Sequence, residues 1–270
     1  MSALATEAAT RESRDRQIPF GGVRDTAAIV KRNLYGYLRV PQLLVFSTVQ
    51  PVIFVIMFRY VFGGAIGGTN GPYVDFLMPG IFIQTVVFGS IATAIGLATD
   101  MKSGLMERFH ALPMARSAVL TGRTIADLIR NLFVVILMMV VGFLVGWRIH
   151  TNVFGLIAAA LLVMLFGFAM SWIFATLGLA LGDPESAQAA AFPVLAPLVF
   201  ASSAFVPVDK MPGWLQVFAN HQPVSITVNA VRALTLGGPT ATSVWQALAW
   251  MVGILVVFAT LSVRIYRKTV

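Results

Sequence analysis

Cysteine is absent from this chain and charge is scarce. Without cysteine there is no disulfide, no Cys-ligated zinc, no iron–sulfur cluster and no thiol nucleophile. Only 11% of the residues are charged, where a soluble domain carries about a quarter. Also missing are HExxH, GxSxG and a close pair of acids within an apolar run. The glycine-rich run at 63–71 lacks the Gly-Lys-Ser/Thr ending of a phosphate-binding loop, and it follows an apolar segment instead of a strand. It reads as a turn. The three histidines, His110, His150 and His221, lie too far apart in sequence to look like a metal site. The chain therefore offers no catalytic, nucleotide, cofactor or metal site of its own.

Apolar residues make up the difference, at 58% of the 270. That leaves too little polar surface to cover a folded globule, so lipid must cover part of it. Six stretches are long and apolar enough to span a bilayer core of about 30 Å as helices: 43–62, 76–98, 125–147, 153–181, 187–206 and 245–263. The fourth is long enough to expect tilt, and Pro193 with Pro197 predicts a kink in the fifth. The first residues, 1–21, carry charges throughout and no apolar core, so they read as a disordered polar tail and not as a secretory signal.

The net charge of +8 could point to nucleic acid. The basic residues, however, flank apolar blocks and form no continuous stripe, which fits a membrane surface and argues against a nucleic-acid partner. Of the nineteen Lys and Arg, fifteen fall before the first span, in or just after the second connection, or after the sixth span. The positive-inside rule puts those segments, and both termini, in the cytoplasm. An even number of spans likewise requires both termini on one side.

The connections say more than the spans. In 23–40, Val23, Ala27, Val30, Leu34 and Leu38 recur at helical spacing, with Arg24, Lys31, Arg32 and Arg39 mainly on the other side. This predicts a basic amphipathic helix lying in the interface, in contact with membrane lipid. In 100–127, a short helix over 104–112 is expected to stop at Pro113, with Glu107, Arg108 and His110 on its polar face. A solvated loop and a handle for a soluble partner explain that face equally well. In 207–244, two apolar stretches, 214–218 and 224–236, flank Asn220, His221, Gln222 and Pro223. Each is too short to cross, so interfacial or re-entrant helices are expected.

Within the spans, Gln50, Gln84, Ser202 and Ser203 are candidates for a substrate path, because unpaired polar groups are costly in lipid. A structural role is the competing reading, since Gln50 could satisfy a carbonyl freed by Pro51. Gly142 with Gly146, and Gly178 with Gly182, have the GxxxG spacing of close helix contacts, either within the chain or between copies. Asp127, with Arg123 and Arg130 at i−4 and i+3, reads as a helix-surface charge cluster.

The stretch Gly-Leu-Met-Glu-Arg-Phe-His-Ala-Leu-Pro-Met-Ala-Arg at 104–116 resembles the cytoplasmic motif of ABC-2-type transporter permeases. Phe-Val-Pro-Val-Asp-Lys-Met-Pro-Gly-Trp-Leu at 205–215 resembles the daunorubicin- and doxorubicin-resistance branch of that family. So does Asn-His-Gln-Pro-Val-Ser-Ile-Thr at 220–227, which leads into Ala-Val-Arg-Ala-Leu at 230–234. The likeness runs from residue 22 to the end. It implies an all-α transmembrane domain over 22–270 in a bacterial cytoplasmic membrane, acting as the non-catalytic permease subunit of an ATP-driven exporter. The implied partners are two copies of a separate ABC ATPase, which would bind ATP and Mg, and a second copy of the permease or a sibling.

By the same resemblance, Glu107, Arg108, Phe109, Leu112 and Pro113 would form the ATPase-coupling helix. Val23, Val30, Lys31, Arg32 and Leu34 would belong to an interfacial gate helix. Met211, Trp214, Gln222, Pro223 and Arg232 would belong to the outer re-entrant region. The expected cargo is an amphiphilic drug-like molecule or a lipid. The alternatives are a polymer-linked lipid, or a membrane anchor that conducts nothing.

Overall fold

The computed structural model describes residues 21–39, 41–64, 72–105 and 116–269. The expected tail up to residue 20 lies outside the described residues, and so do Glu107, Arg108, Phe109, Leu112, Pro113 and most of the short helix they define. The side chain of Val23 lies outside them too.

Every regular element among the described residues is helical. In chain order these are α1 (Gly21–Arg39), α2 (Pro41–Ile56) continuing into a π-helical turn (Met57–Phe62), α3 (Tyr73–Gly89), α4 (Ile91–Lys102) and α5 (Arg116–Val145). There follow α6 (Val153–Leu181), α7 (Pro184–Phe200), a 3₁₀ turn (Val208–Lys210), α8 (Gly213–His221), α9 (Pro223–Leu236) and α10 (Thr240–Thr269). Four stretches are long and apolar enough to cross a membrane: Tyr73–Lys102, Leu120–Val145, Val153–Leu181 and Thr240–Tyr266. A shorter apolar stretch covers Thr48–Phe62.

The helix ends follow local chemistry. Asn152 caps α6 by accepting from Gly155 N at 2.8 Å, and Asp183 caps α7 by accepting from Ser186 N at 3.0 Å, with Pro184 in the first turn. Gly146 and Gly182 terminate α5 and α6 at φ +102° and +65°, a conformation that favours glycine. The two GxxxG pairs therefore divide their roles. The second glycine of each stops a helix, while the first, Gly142 or Gly178, lets a neighbouring element in close. At Gly178 that neighbour is the backbone of Ala94, so this pair packs within the chain.

Two expected spans are interrupted. The 76–98 stretch divides at Ser90, whose Oγ donates to Val86 O at 2.9 Å and competes with the helical ladder. The 187–206 stretch stays helical through Pro193 and Pro197 only as far as Phe200. The two prolines supply no N–H donor, and Ser202 redirects the local backbone by donating to Val199 O and accepting from Ala204 N.

Helix α3 is the axis of the molecule, buried along almost its whole length from Tyr73 to Val87 and packed against α2, α5, α6 and α9. Helix α10 lies at the periphery on α6 and α9, joined to α6 by a buried 2.7 Å hydrogen bond between Thr176 and Ser262. Its other face presents Trp245, Trp250, Val256 and Val257. Such a surface needs apolar surroundings.

The polar contacts define two ends. At one, Arg32 pairs with Asp100 and Lys102 with Asp183, which gathers α1, the end of α4 and the α6–α7 turn. At the other, Arg148 N donates to Asp75, Thr151 donates to Leu234 O and Tyr73 donates to Phe205 O. These bring together the start of α3, the α5–α6 turn and the α7–α9 connection.

Candidate functional site

After α7 the chain runs without helix from Ala201 to Val206, and Ser202 through Phe205 are buried. Non-helical backbone at such depth is tolerated only where protein satisfies its polar groups. Here five residues do so. Gln222 Nε2 donates to Ala201 O at 2.7 Å, and Tyr73 Oη donates to Phe205 O at 2.8 Å. Ser225 Oγ accepts from Ser203 N at 3.0 Å, and Ser202 Oγ accepts from Ala204 N at 3.1 Å. Arg232 Nη2 donates to Ser203 O at 2.9 Å and to Phe76 O at 3.0 Å.

Arg232 is the hub. Its Nη1 donates to Asn229 Oδ1 at 2.9 Å, which also accepts from Ser203 Oγ at 2.9 Å. Its guanidinium lies 3.7 Å from the centre of the Phe76 ring, a cation–π contact that offsets part of the desolvation. Gly80 of α3 meets the backbone of Ala204 directly, and any Cβ there would overlap it. An aromatic group covers the other side. Phe205 stacks on Phe58 at 4.5 Å between ring centres, with Phe54 and Phe200 beside it. Phe200 is partly exposed, so the group continues to the surface.

Four of the expected residues thus meet: Ser202, Ser203, Gln222 and Arg232. Pro223 opens α9 beside them. Met211 helps fold the same connection, its carbonyl accepting from Gln216 Nε2 at 2.8 Å, while Trp214 is 76% exposed on α8. Gln84 is buried one turn beyond Gly80 along α3 and makes none of these contacts; its Oε1 has no hydrogen-bond partner among the described residues. Gln50 is exposed on α2. In α1, Lys31 is exposed and Val30 and Leu34 are half-buried, while Ile29 and Asn33 are buried and Ile29 sits against Gly122 of α5. Arg32 Nη2 donates to both carboxylate oxygens of Asp100, at 2.7 and 2.9 Å.

One expectation is overturned. The Arg123–Asp127–Arg130 cluster does not lie on a helix surface: Asp127 is 0% exposed and Arg130 8%. The cluster faces the gap between α3 and α4. Its apolar setting, inside the long run 120–145, was the available signal. Tyr73 and Ser225, single polar residues at helix starts that carry no such mark, were also missed, as was Asn229 in the middle of α9. Asp75, a further buried acid, accepts from Arg148 N at 3.0 Å and lies 3.8 Å from His150 Nε2.

The fold and site together define an all-helical, multi-pass membrane protein with irregular backbone buried at one end. Comparison with known proteins narrows the class. The pattern of the ABC-2 type transporter family matches residues 24–236, and the chain belongs to that family. It is 35% identical over 237 residues to the daunorubicin resistance ABC transporter permease protein DrrB1 of Streptomyces coeruleorubidus, covering 88% of this chain and 84% of that one. It is 29% identical over 223 residues to the probable doxorubicin resistance ABC transporter permease protein DrrC of Mycobacterium tuberculosis, covering 82% and 80%. A putative transport permease, ycf38, of Cyanophora paradoxa is 26% identical over 216 residues, covering 78% and 74%.

Proposed function

We propose that this chain is the membrane-spanning permease subunit of an ATP-driven exporter and that it moves an amphiphilic, drug-like or lipid molecule out of the cytoplasm or the inner leaflet. The observation that carries this is the 35% identity to a daunorubicin resistance permease over 88% of the chain. The energy would come from two copies of a separate ABC ATPase binding ATP and Mg, and the path would form with a second copy or a sibling permease.

In this reading α2, α3–α4, α5, α6, α7 and α10 make the six crossings, in a bacterial cytoplasmic membrane with both termini inside. The excess of Lys and Arg at the end that holds α1 supports that orientation. Helix α1 lies in the inner interface. Helices α8 and α9, with nine and fourteen residues, are too short for a core of about 30 Å and close the path from outside. Glu107, Arg108, Phe109, Leu112 and Pro113 dock on the ATPase.

The test is daunorubicin uptake into inverted vesicles carrying the chain with its ATPase. ATP-dependent uptake that is lost in Glu107→Ala with Arg108→Ala is the expected result. ATP hydrolysis by the pure chain, or unaltered ATPase binding by that double variant, would overturn the reading. Uptake of a polymer-linked lipid in place of daunorubicin would redirect it.

A further inference from the structure

Helix α5 turns Arg123, Asp127 and Arg130 toward the point where α3 gives way to α4. Arg130 Nη2 donates to Gly89 O, the last carbonyl of α3. Arg123 Nη2 donates to Ala92 O at 2.9 Å, in the first turn of α4. Thr93 Oγ1 donates to Asp127 Oδ2, and Arg123 and Arg130 each come within 3.9 Å of the same carboxylate. Gly96 leaves the space that the Arg123 guanidinium occupies, and any Cβ there would overlap it. The carboxylate thus lies between two guanidiniums, and each guanidinium also reaches a carbonyl on one side of the break.

Burying three ionised groups carries a large desolvation cost before pairing offsets it. A fixed break has no need of them, since the 201–206 segment is held mostly by neutral donors. What charges on long side chains add is a choice of partners. As the carbonyls at Gly89 and Ala92 move apart or together, each guanidinium can shift weight between a carbonyl and Asp127.

Below the break, the twelve residues of α4 end at Lys102 and lead toward the connection at 106–115. Two more charge contacts hold that far end, Arg32 with Asp100 and Lys102 with Asp183. These link α4 to α1 and to the start of α7, both at the same end of the molecule.

We propose that α4 is a lever hinged at Ser90, and that Thr93, Arg123, Asp127 and Arg130 are positioning residues that keep the hinge in register while α4 swings against α3. The proposal rests on the export reading: the pull on 106–115 comes from the partner ATPase, and the lever passes it to the buried axis α3. Hinged closure of this kind concentrates motion in a few residues at element ends.

The test uses the full complex in proteoliposomes with daunorubicin as the probe. Asp127→Asn is expected to leave complex assembly and ATP hydrolysis near native while efflux per ATP falls at least about fivefold, the scale of a lost inter-site coupling. Asp127→Glu, which keeps the charge, is expected to restore part of it. Native efflux per ATP in Asp127→Asn would overturn the proposal. So would efflux, ATP hydrolysis and thermal stability all falling together in that variant.

A second measurement does not depend on that variant folding. Because the chain has no cysteine, Ser103→Cys and Glu185→Cys can be spin-labelled in the purified permease before the ATPase is added, which places the labels just past the end of α4 and at the start of α7. Their distance distribution is expected to shift between the nucleotide-free and the ATP–vanadate-trapped complex, and an unchanged distribution would overturn the lever. A native complex that moves no daunorubicin counts against the export reading instead, while a label shift in that complex would still uphold the lever.

Discussion

Helices α3 and α7 both end inside the protein, and the two interruptions are held in different ways. At 201–206 the donors and acceptors come from Tyr73, Ser202, Gln222, Ser225 and Arg232, spread over three parts of the chain, and most serve a single partner. Gly80 adds a backbone contact with no room to spare. At Ser90 the side-chain support comes mainly from one helix, through charged groups that also pair with one another. Many separate short bonds fix a geometry. A few long, mutually exchangeable ones keep a geometry satisfied while it changes.

This contrast can be broken by experiment. The largest effect is expected at the rigid site. Gly80→Val would drive a side chain into the Ala204 backbone, and overpacking against a chain that cannot retreat costs about 3 kcal/mol or more. Thermal unfolding in detergent, followed by tryptophan fluorescence, would show it as loss of folded protein. Arg232→Gln is expected to destabilise by about 3 kcal/mol, by leaving the Ser203 and Phe76 carbonyls without their charged donor. Arg232→Lys should rescue little, because an ammonium cannot match the fork and the ring face together.

At the other interruption, Thr93→Val is expected to cost only about 1 kcal/mol, since Asp127 keeps both guanidiniums. If Thr93→Val proved more damaging than Arg232→Gln, the assignment of the rigid and the adaptable site would be reversed.

The smallest effect concerns acid. The hydrogen bond from Lys102, with help from Ser186, holds the Asp183 carboxyl down to about 2, against an ordinary value of about 3.9. A depressed carboxyl contributes stability above the unfolded value and loses it as pH falls through the folded one. Its share is therefore present above about pH 4 and disappears toward about pH 2. The pair is exposed, so the effect is screened and small. Carboxyl-carbon NMR titration should show Asp183 returning toward the ordinary range in Lys102→Gln.

Much of this arrangement was legible in the chain. Pro212 and Pro223 mark the starts of α8 and α9, and the polar run between them marks their separation. Ser202 and Ser203 stood out because polar groups near apolar runs need partners, Gln222 lay in the polar break, and Arg232 was marked only by the family resemblance. The buried charge cluster was misjudged for a physical reason. Spacing puts Arg123, Asp127 and Arg130 on one face, but what covers that face lies 31 to 41 residues away. Nothing local marks the break at Ser90, since the proline of that stretch, Pro79, sits inside the continuous helix α3.

The charged face of α5 has a consequence for how the chain is made. Two turns carrying two arginines and an aspartate enter lipid poorly on their own, since each such residue costs about 2.5–3.5 kcal/mol at a helix centre and less toward its end. The carbonyls of Gly89 and Ala92 that receive Arg130 and Arg123 belong to residues synthesised earlier. When the ribosome delivers α5 to the bilayer, its acceptors have already been translated, so the order of synthesis supplies what the composition of that segment withholds.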